Sequence, residues 1–331
     1  MYYKNGTKLH ITLKDNKGYN LADTPITVTI NGVSYKKTTD KNGAVEMNIY
    51  LKPGVYTATV DYAGNKTIGA NSVDAKITVL PTITGNNITK MYQNGTHFFA
   101  AFVNGQGKAL ANTKVTFNIN GVFYTKQTND KGIANLNIML RPGHYILTAY
   151  NPVTGDEQGF SVDVKSLIEA SDLTKYYLNA SRFQATIYDK NGSLAVGKNV
   201  TFNIHGVFYT RTTDENGVVS LGISLRPGEY VITTMYEGLD LGNTVTVLPT
   251  LVTHDLNMKY MDGSNFTAQT LDGQGNPLAN QNVSFNVNGV FYHKVTDDNG
   301  FASLTIRLMS GKYIITSSWN DFQTGNNITI S

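Results

Sequence analysis

Glycine recurs in a fixed register along this chain, and that register constrains the fold more than any other feature. Gly32, Gly43 and Gly54 stand at 11-residue steps, and the triplets Gly121/Gly132/Gly143, Gly206/Gly217/Gly228 and Gly289/Gly300/Gly311 repeat the spacing. The first glycine opens a Gly-Val-(Ser/Phe)-Tyr string at Gly32–Tyr35, Gly121–Tyr124, Gly206–Tyr209 and Gly289–Tyr292. The second closes the turns Asp40–Gly43, Asn129–Gly132, Asp214–Gly217 and Asp297–Gly300. The third sits in Leu51–Tyr56, Leu140–Tyr145, Leu225–Tyr230 and Leu308–Tyr313, read as Leu-x-Pro-Gly-x-Tyr in all but the last, where Met309-Ser310 replaces the basic residue and Pro. From Gly32 to Gly121, Gly206 and Gly289 the steps are 89, 85 and 83 residues. That period is too long for a solenoid unit and suits a whole small domain. Four homologous copies are expected, at 1–81, 82–166, 167–249 and 250–331.

The second copy shows what each should become. Val115, Phe117 and Ile119 alternate with Thr116, Asn118 and Asn120, the period-two pattern of a half-buried strand. Asn120-Gly121 then suits a two-residue hairpin, which needs φ > 0 at both positions. Val122–Thr128 reads as the returning strand, Asn129–Gly132 as the next turn, Ile133–Leu140 as another strand, and Arg141-Pro142-Gly143 as a further turn into Tyr145–Tyr150. With Phe98–Val103 upstream, Phe160–Val164 downstream and an edge segment Ile88–Tyr92, the copy has about seven short strands with turn signals every 8–12 residues. This profile predicts an all-β chain of four tandem immunoglobulin-like β-sandwich domains with Greek-key connections. The connectors Leu80-Pro81-Thr82, Lys165–Ser171 and Leu248-Pro249-Thr250 are short. They predict an extended, monomeric rod.

Tyr56, Tyr145, Tyr230 and Tyr313 each follow a turn at the start of a strand. They are expected to be tyrosine corners, with the hydroxyl bonded back to the main chain. Gly43, Gly132, Gly217 and Gly300, and Gly54, Gly143, Gly228 and Gly311, are expected as turn glycines. In Val122-Phe123-Tyr124 the two rings point to opposite faces. Ser34 replaces Phe in the first copy while Tyr stands in all four. This places Tyr inward and Phe123, Phe208 and Phe291 outward, where they could stack on a ligand or meet a partner.

Chemistry is harder to find. The six histidines, His10, His97, His144, His205, His254 and His293, occupy no matching place between copies and have no metal-ligand spacing. They read as scattered and solvated. The Asp-x-Asn-Gly turns resemble the start of a calcium loop but lack the remaining ligands and the bidentate Glu. No nucleophile elbow, phosphate loop or dinucleotide fingerprint occurs. No cofactor, metal or catalytic role is expected. Lys90, Lys175 and Lys259 recur near the start of a copy, a placement that would suit an intradomain Lys–Asn crosslink. No Asn recurs at a fixed place in the last strand, and no acid recurs as proton shuttle, so these lysines read as solvated edge residues. The absence of cysteine excludes disulfide and zinc-thiolate scaffolds. A net charge of +3, with 15% charged residues and no basic stripe, argues against nucleic acid as a partner. No apolar run is long enough to span a membrane. The chain begins and ends within strand pattern and reads as a segment of a longer protein. Asn-x-Ser/Thr sequons at Asn5, Asn65, Asn87, Asn94, Asn179, Asn191, Asn199, Asn265, Asn282 and Asn327 are consistent with a glycosylated surface protein.

The string Asn118–Ile138 followed by Leu140-Arg-Pro-Gly-His-Tyr145, with Asn151-Pro-Val-Thr-Gly155 and Lys175-Tyr-Tyr177, resembles the repeats of adhesin-like surface proteins of methanogenic archaea. It is more distantly similar to the bacterial Ig-like domains of intimin- and invasin-type stalks. The likeness covers all four copies, the first departing most, with Ser34 for Phe and Thr59–Ser72 in place of Asn-Pro-Val-Thr-Gly. It implies an extracellular or cell-wall-associated stalk or adhesion module, whose partner would be a protein or glycan of another cell. Two other functions fit the sequence: a glycan-binding module using exposed aromatics, and accessory domains of a surface enzyme whose catalytic part lies elsewhere.

Overall fold

A computed structural model describes residues 1–331 and contains thirty β-strands and no helix. The chain forms four tandem immunoglobulin-like sandwiches. Two compact units, Met1–Lys165 and Ser166–Ser331, hold two sandwiches each.

The second sandwich shows the plan. Its larger sheet orders five strands as Val122–Gln127, Lys114–Ile119, Gly143–Tyr150, Glu157–Lys165 and Ile88–Met91, all antiparallel neighbours except the last pair, which is parallel. The smaller sheet orders Ile133–Asn137, His97–Phe102 and Ile83–Gly85. The opening strand is therefore split between sheets. Ile83–Gly85 pairs in one and Ile88–Met91 in the other, giving eight strands where the turn pattern suggested about seven. The third and fourth sandwiches repeat both orders. The first has a four-stranded and a two-stranded sheet, without a counterpart of Ile83–Gly85. A parallel bridge, Tyr2 to Leu80, stands where Ile88–Met91 pairs in the others.

Alternation puts one side chain in two into the core. In the second sandwich Phe98, Phe102, Phe117 and Leu147 are fully buried. The rings of Phe98 and Phe117 meet edge to face at 5.7 Å, a favoured aromatic geometry. Phe183–Phe202 and Phe266–Phe285 repeat the contact, both at 5.8 Å. The first sandwich fills the same space with aliphatic side chains, Val28 fully buried among them.

The turns are held by side chains bonded to their own backbone. Oδ1 of Asp40 accepts from the amides of Asn42 and Ala44, and Asn129, Asp214 and Asp297 accept likewise two and four residues on. An amide oxygen does this as well as a carboxylate, which explains Asn at 129. The threonine just before each of these residues, Thr39, Thr128, Thr213 or Thr296, is buried. Its hydroxyl donates to a carbonyl across the sandwich end, at 2.5–2.8 Å, and accepts a backbone N–H at 2.9 Å.

Within the first unit, Asn5 donates from Nδ2 to Gly105 O at 2.8 Å, and the Tyr2 ring lies where a side chain at Gly107 would stand. Within the second, Asn179 and Tyr176 meet Gly273 and Gly275 in the same way. A Gly-Gln-Gly turn thus seats each unit's later sandwich on its earlier one.

Candidate interaction surface

The four turn-following tyrosines share one geometry. Tyr56, Tyr145, Tyr230 and Tyr313 donate their hydroxyls to the carbonyls of Lys52, Arg141, Arg226 and Met309, four residues upstream, at 2.8–2.9 Å. Each ring folds back over the preceding glycine. A Cβ at Gly143 would lie 3.2 Å from the Tyr145 hydroxyl, tighter than most contacts, and Gly54, Gly228 and Gly311 face their tyrosines likewise. These residues close a loop and present no reactive group.

The second-hairpin strands Val33–Thr38, Val122–Gln127, Val207–Thr212 and Val290–Val295 form one edge of each larger sheet and are exposed or half-buried throughout. Phe123, Phe208 and Phe291 are 65%, 62% and 61% exposed. Phe123 lies 6.2 Å from the Tyr150 ring. The tyrosine beside each Phe is opposite an inward residue, as Tyr124 is to Phe117. Burial there is nonetheless partial: Tyr124 and Tyr209 are half-buried, while Tyr35 and Tyr292 are exposed.

Two lysines depart from the sequence expectation of solvated edge residues. Lys90 and Lys175 are buried, 4% and 6% exposed. Lys90 Nζ donates to Ile138 O at 2.8 Å and Thr96 O at 3.2 Å, and Lys175 Nζ to Ile223 O at 2.8 Å and Ser181 O at 3.3 Å. Burial holds both ammonium groups below their ordinary pKa. The equivalent residue of the fourth sandwich is the buried Met258, and Lys259 is exposed. The two buried ammonium groups bond main-chain carbonyls rather than an Asn or carboxylate.

A buried polar cluster is peculiar to the second sandwich. Asp156 Oδ2 accepts from Thr82 N at 2.6 Å and from the Thr82 hydroxyl at 3.1 Å, and Asn151 donates to Val103 O at 2.8 Å. All four side-chain partners, Thr82, Asn151, Thr154 and Asp156, are buried. Every strong contact is internal, so the Asn-Pro-Val-Thr-Gly segment is a satisfied loop anchor rather than an open site. The histidines make only local contacts: His144 pairs with Asp163 at 2.6 Å, His10 with Glu46 at 3.3 Å, and His205 meets the Tyr230 ring edge. No group of three or more His, Asp or Glu is placed to hold a metal ion. No helix is long and apolar enough to cross a membrane.

The geometry thus defines a class, tandem immunoglobulin-like sandwiches whose exposed features are sheet edges and sheet faces. No protein-family model matches the chain. It is 25% identical over 362 residues to an inverse autotransporter adhesin of Escherichia coli strain K12, YeeJ. That alignment covers 91% of this chain and spans 15% of the length of the adhesin. Among solved structures it is similar to invasin, a bacterial integrin-binding protein, at 15% identity and TM-score 0.24 over 99% of this chain and 77% of that one. It is also similar to the I9–I11 tandem of titin, at 14% identity and TM-score 0.30 over 75% and 98%.

Proposed function

We propose that this chain is a repeat segment of an extracellular, surface-exposed adhesin, acting as spacer and adhesion module toward other cells or surfaces. One observation carries the reading. The residues repeated in all four sandwiches, the turn glycines, the Asp or Asn that caps each turn, the buried threonines and the corner tyrosines, turn the chain and close its ends. His, Asp and Glu do not gather into a group placed to hold a metal ion. Similarity to an adhesin across most of the chain supports the same reading. A protein or glycan of the opposing surface is the partner, and the chain has no catalytic role.

The test is retention of beads coated with the 331-residue chain on cell monolayers and on abiotic surfaces, together with immunogold labelling of the native protein. Retention above that of beads coated with an unrelated Ig-like tandem, with label outside the cell envelope, is expected. Equal retention or intracellular label would overturn the reading. Sequon occupancy is a separate part of the proposal, read by glycopeptide mapping of native material.

A further inference from the structure

The solvent face of the larger sheet carries a four-residue row that recurs in three of the four sandwiches. In the second, Phe123 lies opposite Asn118, Asn118 opposite Thr148, and Thr148 opposite Gly159. The third has Phe208, Asn203, Thr233 and Gly242 in the same register. The fourth has Phe291, Asn286, Thr316 and Gly325. Two residues before the threonine, on the same face, stands an exposed aliphatic side chain, Ile146, Val231 or Ile314. The neighbouring solvent-facing row does not hold: Tyr150, Met235 and Ser318 stand beside Glu157, Asp240 and Gln323.

Glycine is the telling member. Gly159, Gly242 and Gly325 do not have positive φ. A Cβ there would meet only ordinary contacts, 3.5 Å from Ile146 Cγ2, 3.9 Å from Val231 Cγ1 and 4.0 Å from Ile314 Cγ2. Neither backbone conformation nor crowding calls for glycine, and glycine inside a strand weakens it. What its absence of side chain does here is leave an open floor beside the threonine, where a ligand approaches the backbone.

The polar groups on that floor are free. Asn118, Thr148, Asn203, Thr233 and Thr316 make no side-chain hydrogen bond within the protein. Asn286 lends only its oxygen, to Gly289 N at 3.1 Å. The first sandwich is the contrast. Its row is Ser34, Thr29, Thr59 and Asp74, and these close on one another: the Thr29 and Ser34 hydroxyls lie 2.9 Å apart, and Thr59 donates to Asp74 Oδ1 at 2.7 Å.

An exposed ring face, a free amide, a free hydroxyl and an open floor, with no charge among them, suit one chemistry. An apolar partner would bury the Asn and Thr without hydrogen bonds. An anionic one would find no cation in the row. The C–H face of a pyranose can stack on the ring while its hydroxyls pair with amide and hydroxyl. We propose that the rows of the second, third and fourth sandwiches, each about 14 Å long across four strands, each bind a stretch of about two hexopyranose units of a neutral glycan, and that the first does not. The second, where Tyr150 adds a ring beside Phe123, is the strongest. This deepens the adhesive reading and rests on it.

The test is affinity electrophoresis of the full chain in gels containing yeast mannan, galactomannan or xyloglucan, with heparin as the anionic control. Retardation by at least one neutral polysaccharide and not by heparin is expected. Phe208→Ala/Phe291→Ala should still be retarded through the second sandwich. Adding Phe123→Ala should weaken binding by up to about ten-fold, the upper end of one aromatic contact. Adding Gly159→Ala to the double variant instead should also weaken retardation without lowering the melting temperature, since a Cβ fits there. No retardation by any neutral polysaccharide, binding undiminished in the triple variant, or retardation by heparin alone would overturn the proposal. Bead retention by cells separates the two readings: if it survives the triple variant while no neutral glycan binds, the row fails and the adhesive function stands. If the wild-type chain is not retained, the adhesive function fails whatever the gels show.

Discussion

Two glycines of the fourth sandwich separate backbone strain from crowding. Gly289, in the hairpin, has φ of 80°, and nothing lies within 4 Å of where a Cβ would stand. Gly300, in the next turn, has φ of 77°, but a Cβ there would lie 2.6 Å from Thr270 O and 3.1 Å from Leu278 N. Those atoms cannot move cheaply, because Leu278 N donates to Thr270 O and Thr270 N to Gly300 O, both at 2.9 Å. Placing alanine in the left-handed region costs about 1–2 kcal/mol. Forcing an extra methyl into fixed backbone adds about 1–3 kcal/mol. Gly289→Ala should therefore destabilise by about 1–2 kcal/mol and Gly300→Ala by about 2–5 kcal/mol. Trp319 is the single tryptophan and lies in the core of this sandwich, so its fluorescence reports on the fourth copy alone. With a urea slope of about 1 kcal/mol/M for a small domain, the midpoint should fall about 1–2 M for the first variant and about 2–5 M for the second. Equal shifts, or a larger one at Gly289, would refute the argument that the second-turn glycine is required by contact as well as by φ.

The same fluorescence tests two neighbours. Tyr313→Phe removes the bond to Met309 O and should lower stability by about 1 kcal/mol, one net hydrogen bond; an unchanged midpoint would count against the corner's contribution. Ser317 is fully buried with a hydroxyl that finds no partner, and the second sandwich has Ala149 at that place. Ser317→Ala should stabilise by about 1 kcal/mol or more, and a lower midpoint would show the hydroxyl to be satisfied. In the second sandwich, Lys90→Met copies Met258 and removes a buried cation whose pKa burial depresses. The unfolded chain binds that proton more tightly, so between the lowered folded value and the ordinary 10.5 stability rises with pH. Hydrogen exchange on peptides spanning Ile88–Phe102 should show the variant's advantage over wild type shrinking as pH rises through that window; an advantage constant with pH would remove the charge from the account.

Repetition made much of this fold legible. Turn chemistry at fixed offsets located the hairpins, because Asn-Gly and Asp-x-x-Gly satisfy local geometry without help from distant residues. What sequence reading missed depended on partners far along the chain. The split opening strand needs both sheets to be known. Lys90 followed the period-two pattern inward with Ile88, yet its charge argued for solvent; its long stem packs while Nζ reaches carbonyls at the sandwich end. The buried threonines carried a readable signal, one residue before every turn acid or its Asn counterpart, but their role needs a carbonyl 18 residues away. The Phe of the outer row was visible in the hairpin strand. Its Asn, Thr and Gly companions come from three other strands, and only cross-strand register joins them.

That register also separates binding from stability. Along Lys114–Ile119, Phe117 points into the core against Phe98 while Asn118, one residue on, faces solvent in the row with Phe123. Because successive side chains leave on opposite sides, the outer row can change as a block, as it does in the first sandwich, without touching the inner layer. The consequence is measurable in one domain. Phe117 is fully buried, so Phe117→Ala should destabilise by about 3–5 kcal/mol through lost burial and a cavity. Phe123 has most of its surface in water, so Phe123→Ala should stay within about 0.5 kcal/mol of wild type. Hydrogen exchange through a urea series, read on peptides covering Lys114–Gln127, compares them directly. A large loss for Phe123→Ala would mean that its ring is held against Tyr150 as part of the fold, and the row would then be packing rather than an open face.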